Sequence, residues 1–452
     1  MKIVNAVILF VGFNLLASCD TSDTEPTPQL SLLTATIDGA TLGANENVSI
    51  EAAIVLVFSA SLDQTKFLSE TSLSSGSSTV NFTVNFANGN TKATITPELD
   101  YGQSYVLSIN AGTIGDGGER LADPLNYLFT TAQDDVIRSM TPCVSTSACL
   151  QSVELQGSQG MGTFEFYSNY PIYEENAEWE NLTQAIIVVH GASHDPDNYY
   201  SYLTSTLNAE SLSESTVLIS PFFRETSTGS QDDFYWSGNQ YREGSQSSNN
   251  NKISSFTIID KLIDQLANAD RFPVLNKIIV TGHSSGAAFT HVYAASNTSE
   301  SSHQEIQFEY LVANSQFFYY PDGQRINESN NQLYTPAGCA VYDIWPLGFN
   351  SPPPYLVGIN ETTFNSQFVN RSITYLLGNG NQSDPTLNTS DCENTLQGST
   401  RYNRGENMFR YMELVYPSTH SHSKVVVNGI GHDGQGMYQS PAFKSWLSSH
   451  LN

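Results

Sequence analysis

The chain has 452 residues, enough for two domains, one of which can bury a large core. Its charges are few and lopsided: 18 Lys plus Arg against 45 Asp plus Glu give a formal net charge of −27, with only 14% of residues charged. A surface this acidic repels phosphate backbones and anionic lipid heads, so nucleic acid is a poor partner, and the charge reads first as a solubility device.

At the N-terminus Lys2 precedes an apolar run from Ile3 to Ala17 that is too short and too abruptly ended for a membrane span. The run stops at Leu16-Ala17-Ser18-Cys19, which resembles the lipobox of bacterial lipoproteins. That resemblance implies cleavage before Cys19, a diacylglycerol on its sulfur, and anchorage to the bacterial cell envelope, at the outer membrane or cell surface. Residues 1–19 are thus expected to be a signal segment, and 20–29, with Thr, Ser, Pro and acids, a solvated tether.

Residues 30–132 carry short alternating runs separated by Gly, Asn, Asp and Pro turns: Ile54 to Phe58, Val80 to Val84, Ala93 to Thr96 and Tyr105 to Ile109. About seven strands in such a span predict a small β-sandwich. The unit resembles the bacterial Ig-like domains of the Big_5 type through Val57-Phe58-Ser59 with Leu62-Asp63, Thr96-Pro97-Glu98-Leu99, Asp116-Gly117-Gly118 and the closing Phe129-Thr130-Thr131. Such a domain implies a spacer or weak binder, and nothing in it has the chemistry of a catalyst.

From residue 134 to 452 the pattern becomes alternating strands and helices. Ala185 to Val189, Thr216 to Ile219, Lys277 to Thr281, Phe308 to Ala313, Ile373 to Leu377 and Lys424 to Val427 are apolar runs suited to strands buried on both faces. Between the second and third, Phe256, Ile259, Leu262, Ile263 and Leu266 recur at three- and four-residue intervals, one face of an amphipathic helix over 254–269. The alternation predicts a doubly wound α/β sheet with its reactive groups on loops at the carboxyl ends of the strands.

The third run breaks into Gly282-His283-Ser284-Ser285-Gly286 and continues as an Ala-rich helical pattern. A serine hydroxyl is a poor nucleophile until a tight strand-to-helix turn presents it to a base, and such a turn needs residues without bulk on either side. The layout makes Ser284 the expected nucleophile. The first run ends in His190-Gly191-Ala192, where the N–H of Ala192, with that of Ser285, would form an oxyanion hole. After the last run comes Asn428-Gly429-Ile430-Gly431-His432-Asp433, and His432 is the expected general base.

These stretches resemble the α/β-hydrolase superfamily over residues 150–452, and more narrowly a poorly characterised group of secreted bacterial and fungal members. The shared segments include Trp236-Ser237-Gly238, Arg242-Glu243-Gly244-Ser245, Ala313-Asn314-Ser315 and Gln397-Gly398-Ser399-Thr400-Arg401. In the superfamily the triad acid follows a run like Tyr375 to Gly378. The third residue beyond Gly378 is Asn381, which departs from that pattern. An insertion in this turn brings Asp384 into the role, and Asp391, beside Cys392, stands in reserve.

Without Cys19 the chain keeps Cys143, Cys149, Cys339 and Cys392, which predicts two disulfides among three possible pairings. Neither C-x-x-C nor H-E-x-x-H occurs, so no metal and no cofactor are expected, and His420 and His422 read as exposed loop residues. Phe317 to Tyr320 and Phe222, Phe223, Phe234, Tyr235 and Trp236 follow strands, where they either line a substrate mouth or form core beneath long loops. The resulting expectation is an envelope-anchored serine hydrolase acting on a small or polymer-borne carboxylic ester. An amidase or peptidase with the same parts, and a surface binding protein with a decayed hydrolase domain, are the alternatives. Oligomeric state leaves no mark in the sequence.

Overall fold

The computed structural model describes residues 27–226, 228–230, 232–380 and 384–451. Cys19 with the lipobox-like segment, and Asn381, lie outside the described residues. Among the described residues no helix is long and apolar enough to cross a membrane. The chain divides after Asp135 into two compact units with separate cores.

The first unit is built from two five-stranded sheets and a three-stranded edge. Ile54–Phe58 alternates between fully and partly buried positions, and Ile54, Leu56 and Phe58 join Ile95, Leu107 and Phe129 in one core, as a sandwich requires. Several strands are only two residues long, which is why the strand count exceeds the sequence expectation. The Leu62-Asp63 pair has a structural cause. Leu62 is buried, and the Asp63 carboxylate caps the helix Gln64–Glu70 by accepting from the N–H groups of Thr65 and Lys66 at 3.1 and 3.2 Å.

The second unit holds an eight-stranded sheet: β1 (Leu150–Gln156), β2 (Met161–Ser168), β3 (Gln184–Val189), β4 (Thr216–Pro221), β5 (Lys277–His283), β6 (Gln307–Ala313), β7 (Ile373–Gly378) and β8 (His422–Val427). The spatial order is β1-β2-β4-β3-β5-β6-β7-β8, with β2 antiparallel to both neighbours and every pair from β4 to β8 parallel. This is the α/β-hydrolase sheet. Both of its faces are covered. Ala185, Ile187 and Val189 of β3 pack with helix α2 (Ser255–Leu266) and helix α3 (Ser285–Ser296) on one side. Ile186 and Val188 pack on the other with α1 (Pro196–Ala209) and the C-terminal helix Pro441–Leu451.

In α2 the predicted stripe is buried to the last residue, Phe256, Ile259, Leu262, Ile263 and Leu266 among them, each burial contributing about 1.5–3 kcal/mol, and Ser254 caps its first turn. The disulfides are Cys143–Cys149 and Cys339–Cys392, the second joining segments 53 residues apart.

One expectation changes here, and one open alternative is resolved. His422 is no loop residue: it lies buried in β8, with Nδ1 2.9 Å from the Tyr375 hydroxyl and Nε2 2.7 Å from the Phe368 carbonyl. Of the aromatic residues that end strands, Phe318 to Tyr320, Phe223, Phe234 and Trp236 are buried core beneath the loops, while Phe317, also buried, lines a cavity.

Candidate active site

The turn after β5 is tight. Ser284 sits at φ 59°, ψ −114°, left-handed backbone that a β-carbon makes costly, of order 1–3 kcal/mol. Its N–H donates to the Ala313 carbonyl at the end of β6 (3.1 Å). The flanking glycines are imposed by space. A β-carbon on Gly282 would come within 2.3 Å of the Gly286 backbone, and one on Gly286 within 2.0 Å of the Val189 carbonyl oxygen. The turn therefore presses against the end of β3, where the His190-Gly191-Ala192 loop begins.

That loop is locked from below. The Phe223 N–H donates to His190 Nε2 at 3.1 Å, so the ring proton sits on Nδ1, which donates to the Gly191 carbonyl at 2.8 Å. Burial pushes the His190 imidazole down to about 3, and the ring stays neutral. The Tyr241 hydroxyl bridges the His190 and Gly191 carbonyls at 3.0 and 2.9 Å. With both carbonyls held, Ala192 is exposed at the loop's tip, and its N–H donates no hydrogen bond among the described residues. Ser285 begins α3, where an N–H has no partner within the helix.

His432 follows β8, and Asn314, the residue after β6, fixes where it stands. The Asn314 side chain accepts from the Gly378 N–H at the end of β7 (2.8 Å) and donates to the Gly431 carbonyl (2.7 Å). One amide thus ties the turn beside Ser284 to the loop that carries the histidine. The His432 ring lies face to face with that of His283, centroids 4.9 Å apart. His432 Nε2 is buried without a hydrogen-bond partner, and no bond to the Ser284 hydroxyl is formed.

On the opposite edge of the ring, Nδ1 is 3.2 Å from Thr386 Oγ1 and 3.5 Å from Asp384 Oδ1. Asp384 also pairs with Arg401, which opens helix α4 (Arg401–Val415) and is buried. Burial alone would raise the Asp384 carboxyl, but the Thr386 and Arg401 hydrogen bonds hold it below its usual value. For His432, burial and then the Arg401 charge push the imidazole down to about 4.

Asp391 is not brought to His432. It is exposed, its carboxylate accepts from the Asn388 side chain at 2.6 Å, and it lines a separate cavity of about 440 Å³ with Arg242, Phe317 and Trp345. A second cavity of about 420 Å³ opens beside His432, Asp384 and Arg401. Among the described residues, Cys339, Cys392 and Glu393 come nearest to a metal-ligand grouping, and both sulfurs are bound in the disulfide. Sequence reasoning assigned no role to Asn314, Thr386, Arg401, His190 or Tyr241. Asn314 and Arg401 fall in segments shared with the superfamily group, the one signal that pointed to them.

Residues 35–131 match the bacterial Ig-like domain family, Big_5. No curated protein matches the chain in sequence. Among solved structures, the chain is similar to LpqC, a poly(3-hydroxybutyrate) depolymerase from Bordetella parapertussis, at 17% identity and a TM-score of 0.47, over 66% of this chain and 90% of that one. It is also similar to poly(aspartic acid) hydrolase-1 from Sphingomonas sp. KT-1, at 17% identity and a TM-score of 0.44, over 64% of this chain and 96% of that one. A third is the siderophore hydrolase EstB from Aspergillus nidulans, at 14% identity and a TM-score of 0.36, over 68% of this chain and 98% of that one.

Proposed function

We propose that the second unit is a serine hydrolase that cleaves carboxylic esters through an acyl-enzyme. The observation that carries this reading is the strained backbone of Ser284, held between the glycines of a turn that a β-carbon would block, with His432 stacked on the residue before it. Backbone strain at a single serine costs stability whether or not its hydroxyl reacts, and such strain clusters where a side chain is presented for function.

In this mechanism Ser284 Oγ attacks the acyl carbon and its proton passes to His432 Nε2. The N–H groups of Ala192 and Ser285 take the charge that develops on the carbonyl oxygen. The imidazolium then returns its proton to the leaving alkoxide, and water repeats the cycle on the acyl-enzyme. A buried nitrogen without a partner costs about 1–3 kcal/mol, which a bond from the serine hydroxyl to His432 Nε2 in the substrate complex would recover. Asp384 is the acid of the triad, supported by its carboxylate oxygen 3.5 Å from Nδ1 on the imidazole edge.

The same reading makes the protein an envelope lipoprotein held through Cys19, with the Ig-like domain as spacer. The lipobox-like Leu16 to Cys19 supports this, as do two disulfides, which persist in oxidising compartments. A screen of the purified protein on p-nitrophenyl esters of graded acyl length, beside matching p-nitroanilides, tests the chemistry. Turnover of esters that is abolished in Ser284→Ala is expected. Anilide turnover at comparable rates would make it an amidase, and ester turnover undiminished in Ser284→Ala would end the proposal.

A further inference from the structure

We propose that Thr386 and Arg401 are positioning residues, and that the imidazole of His432 is oriented through the Thr386 hydroxyl as well as by the carboxylate of Asp384. This rests on the serine hydrolase reading above.

The atoms assign the roles. Asp384-Pro385-Thr386 makes a tight turn in which the Thr386 N–H donates to Asp384 Oδ1 at 3.0 Å. The Thr386 hydroxyl spends its one proton on the same oxygen, at 2.6 Å. Its lone pairs remain. One accepts from Arg401 Nη2 at 2.9 Å, and the other faces His432 Nδ1 at 3.2 Å, nearer than the carboxylate oxygen at 3.5 Å. Arg401 Nε pairs with Asp384 Oδ2, so a single guanidinium grips both the carboxylate and the hydroxyl. Arg404, one turn along α4, holds the following segment through the Asn388 carbonyl at 2.6 Å. An acceptor at Nδ1 keeps the ring proton there and leaves Nε2 free as the base.

The groups that face His432 are Asp384 and Arg401, the neighbouring Asp433, and His283, which is backed by the Tyr199 hydroxyl. Arg401 is the cation among them, and its charge opposes protonation of the ring, so its removal should let the imidazole take up a proton at higher pH.

The test uses the full chain with Thr386→Val, Thr386→Ser, Arg401→Gln and Arg401→Lys. Two readouts are taken: kcat and KM on a p-nitrophenyl ester across pH, and NMR titration of the His432 ring carbon, which needs no turnover. Thr386→Val should lower kcat by about 10- to 100-fold with KM nearly constant, and Thr386→Ser should restore it. Arg401→Gln should move the His432 titration, and the acid limb of kcat/KM with it, upward by about one unit, and Arg401→Lys should move them less. Native circular dichroism is required of each variant. If Arg401→Gln does not fold, the Thr386 pair decides alone. A folded Thr386→Val with wild-type kcat and an unmoved titration would overturn the clamp. An inactive wild type whose His432 titration still shifts in Arg401→Gln would overturn the ester hydrolase reading and leave the clamp standing.

Discussion

The imidazole of His432 stacks on that of His283, ring centroids 4.9 Å apart and planes 23° from parallel, and His283 is the residue directly before Ser284. His283 is buried, its Nδ1 lies 3.0 Å from the Tyr199 hydroxyl, and burial, then the nearby His432, hold it well below its usual range. A ring whose protonation is disfavoured by burial is therefore the wall against which the His432 ring rests. The strand-to-helix turn thus bears on the place of His432 as well as on that of Ser284.

The pH profile follows from that setting. In the proposed mechanism His432 serves as a base only when neutral, and burial with the Arg401 charge pushes it down to about 4. Its folded value lies below the ordinary one, so the base form persists through the weakly acidic range. The acid limb of kcat/KM should fall near pH 4, measured in pH-jump assays while the protein is still folded. A limb near the ordinary histidine value, about 6.5, would mean a solvated ring.

Acid should unfold the protein through its buried histidines. His190, His291 and His422 are held down to about 3 by burial, and His283 well below its usual value for the same reason. The unfolded chain takes up these protons below about pH 6.5 while the folded chain refuses them until far lower, so stability is complete above that pH and is lost as pH falls through the interval. Tm should drop steadily from about pH 6.5 downward, and His291→Phe should flatten the slope. A Tm independent of pH across this range would contradict the burial of these rings.

The two aspartates should separate cleanly. Asp384→Asn removes the partner of both His432 and Arg401, and kcat should fall by about 10³- to 10⁴-fold, as when a triad loses its carboxylate. Asp391→Asn, exposed and bonded to Asn388, should stay within about threefold of wild type, the scale of surface changes away from the chemistry. The reverse ranking in steady-state kinetics would move the acid.

Removing the longer disulfide should cost stability without touching the chemistry. Cys339–Cys392 closes a long loop, so the double variant Cys339→Ser/Cys392→Ser should lose about 2–4 kcal/mol in denaturant unfolding. Unchanged stability would mean the loop is already fixed by neighbours such as Arg404.

The sheet was legible because its strands are continuous apolar runs. Six of the eight begin and end within two residues of the runs in the sequence, and the α2 stripe is buried as its spacing demands. The hairpin of β1 and β2 was not. Leu150–Gln156 is an edge strand with a mostly exposed, polar sequence, which lacks the contrast that marks a buried one. The turn at Ser284 was legible because glycine spacing encodes backbone geometry locally. Thr386 and Arg401 were not, because their role depends on a loop meeting the start of a helix 15 residues on in sequence, beside a second loop that carries His432. The aromatic residues stayed ambiguous in the sequence for a like reason: a ring at a strand end is core or mouth according to the loop above it, and composition is silent on that loop.

The central claim is that Ser284 is the nucleophile and His432 its base. The direct measurement is labelling with diisopropyl fluorophosphate, followed by peptide mass spectrometry and by the rate of labelling in His432→Ala. A single adduct on the peptide that carries Ser284 is expected, forming at least about 10³-fold more slowly without His432, since the members of such a site act as a unit. An enzyme that hydrolyses esters while Ser284 stays unlabelled, or labels equally fast in His432→Ala, would contradict it.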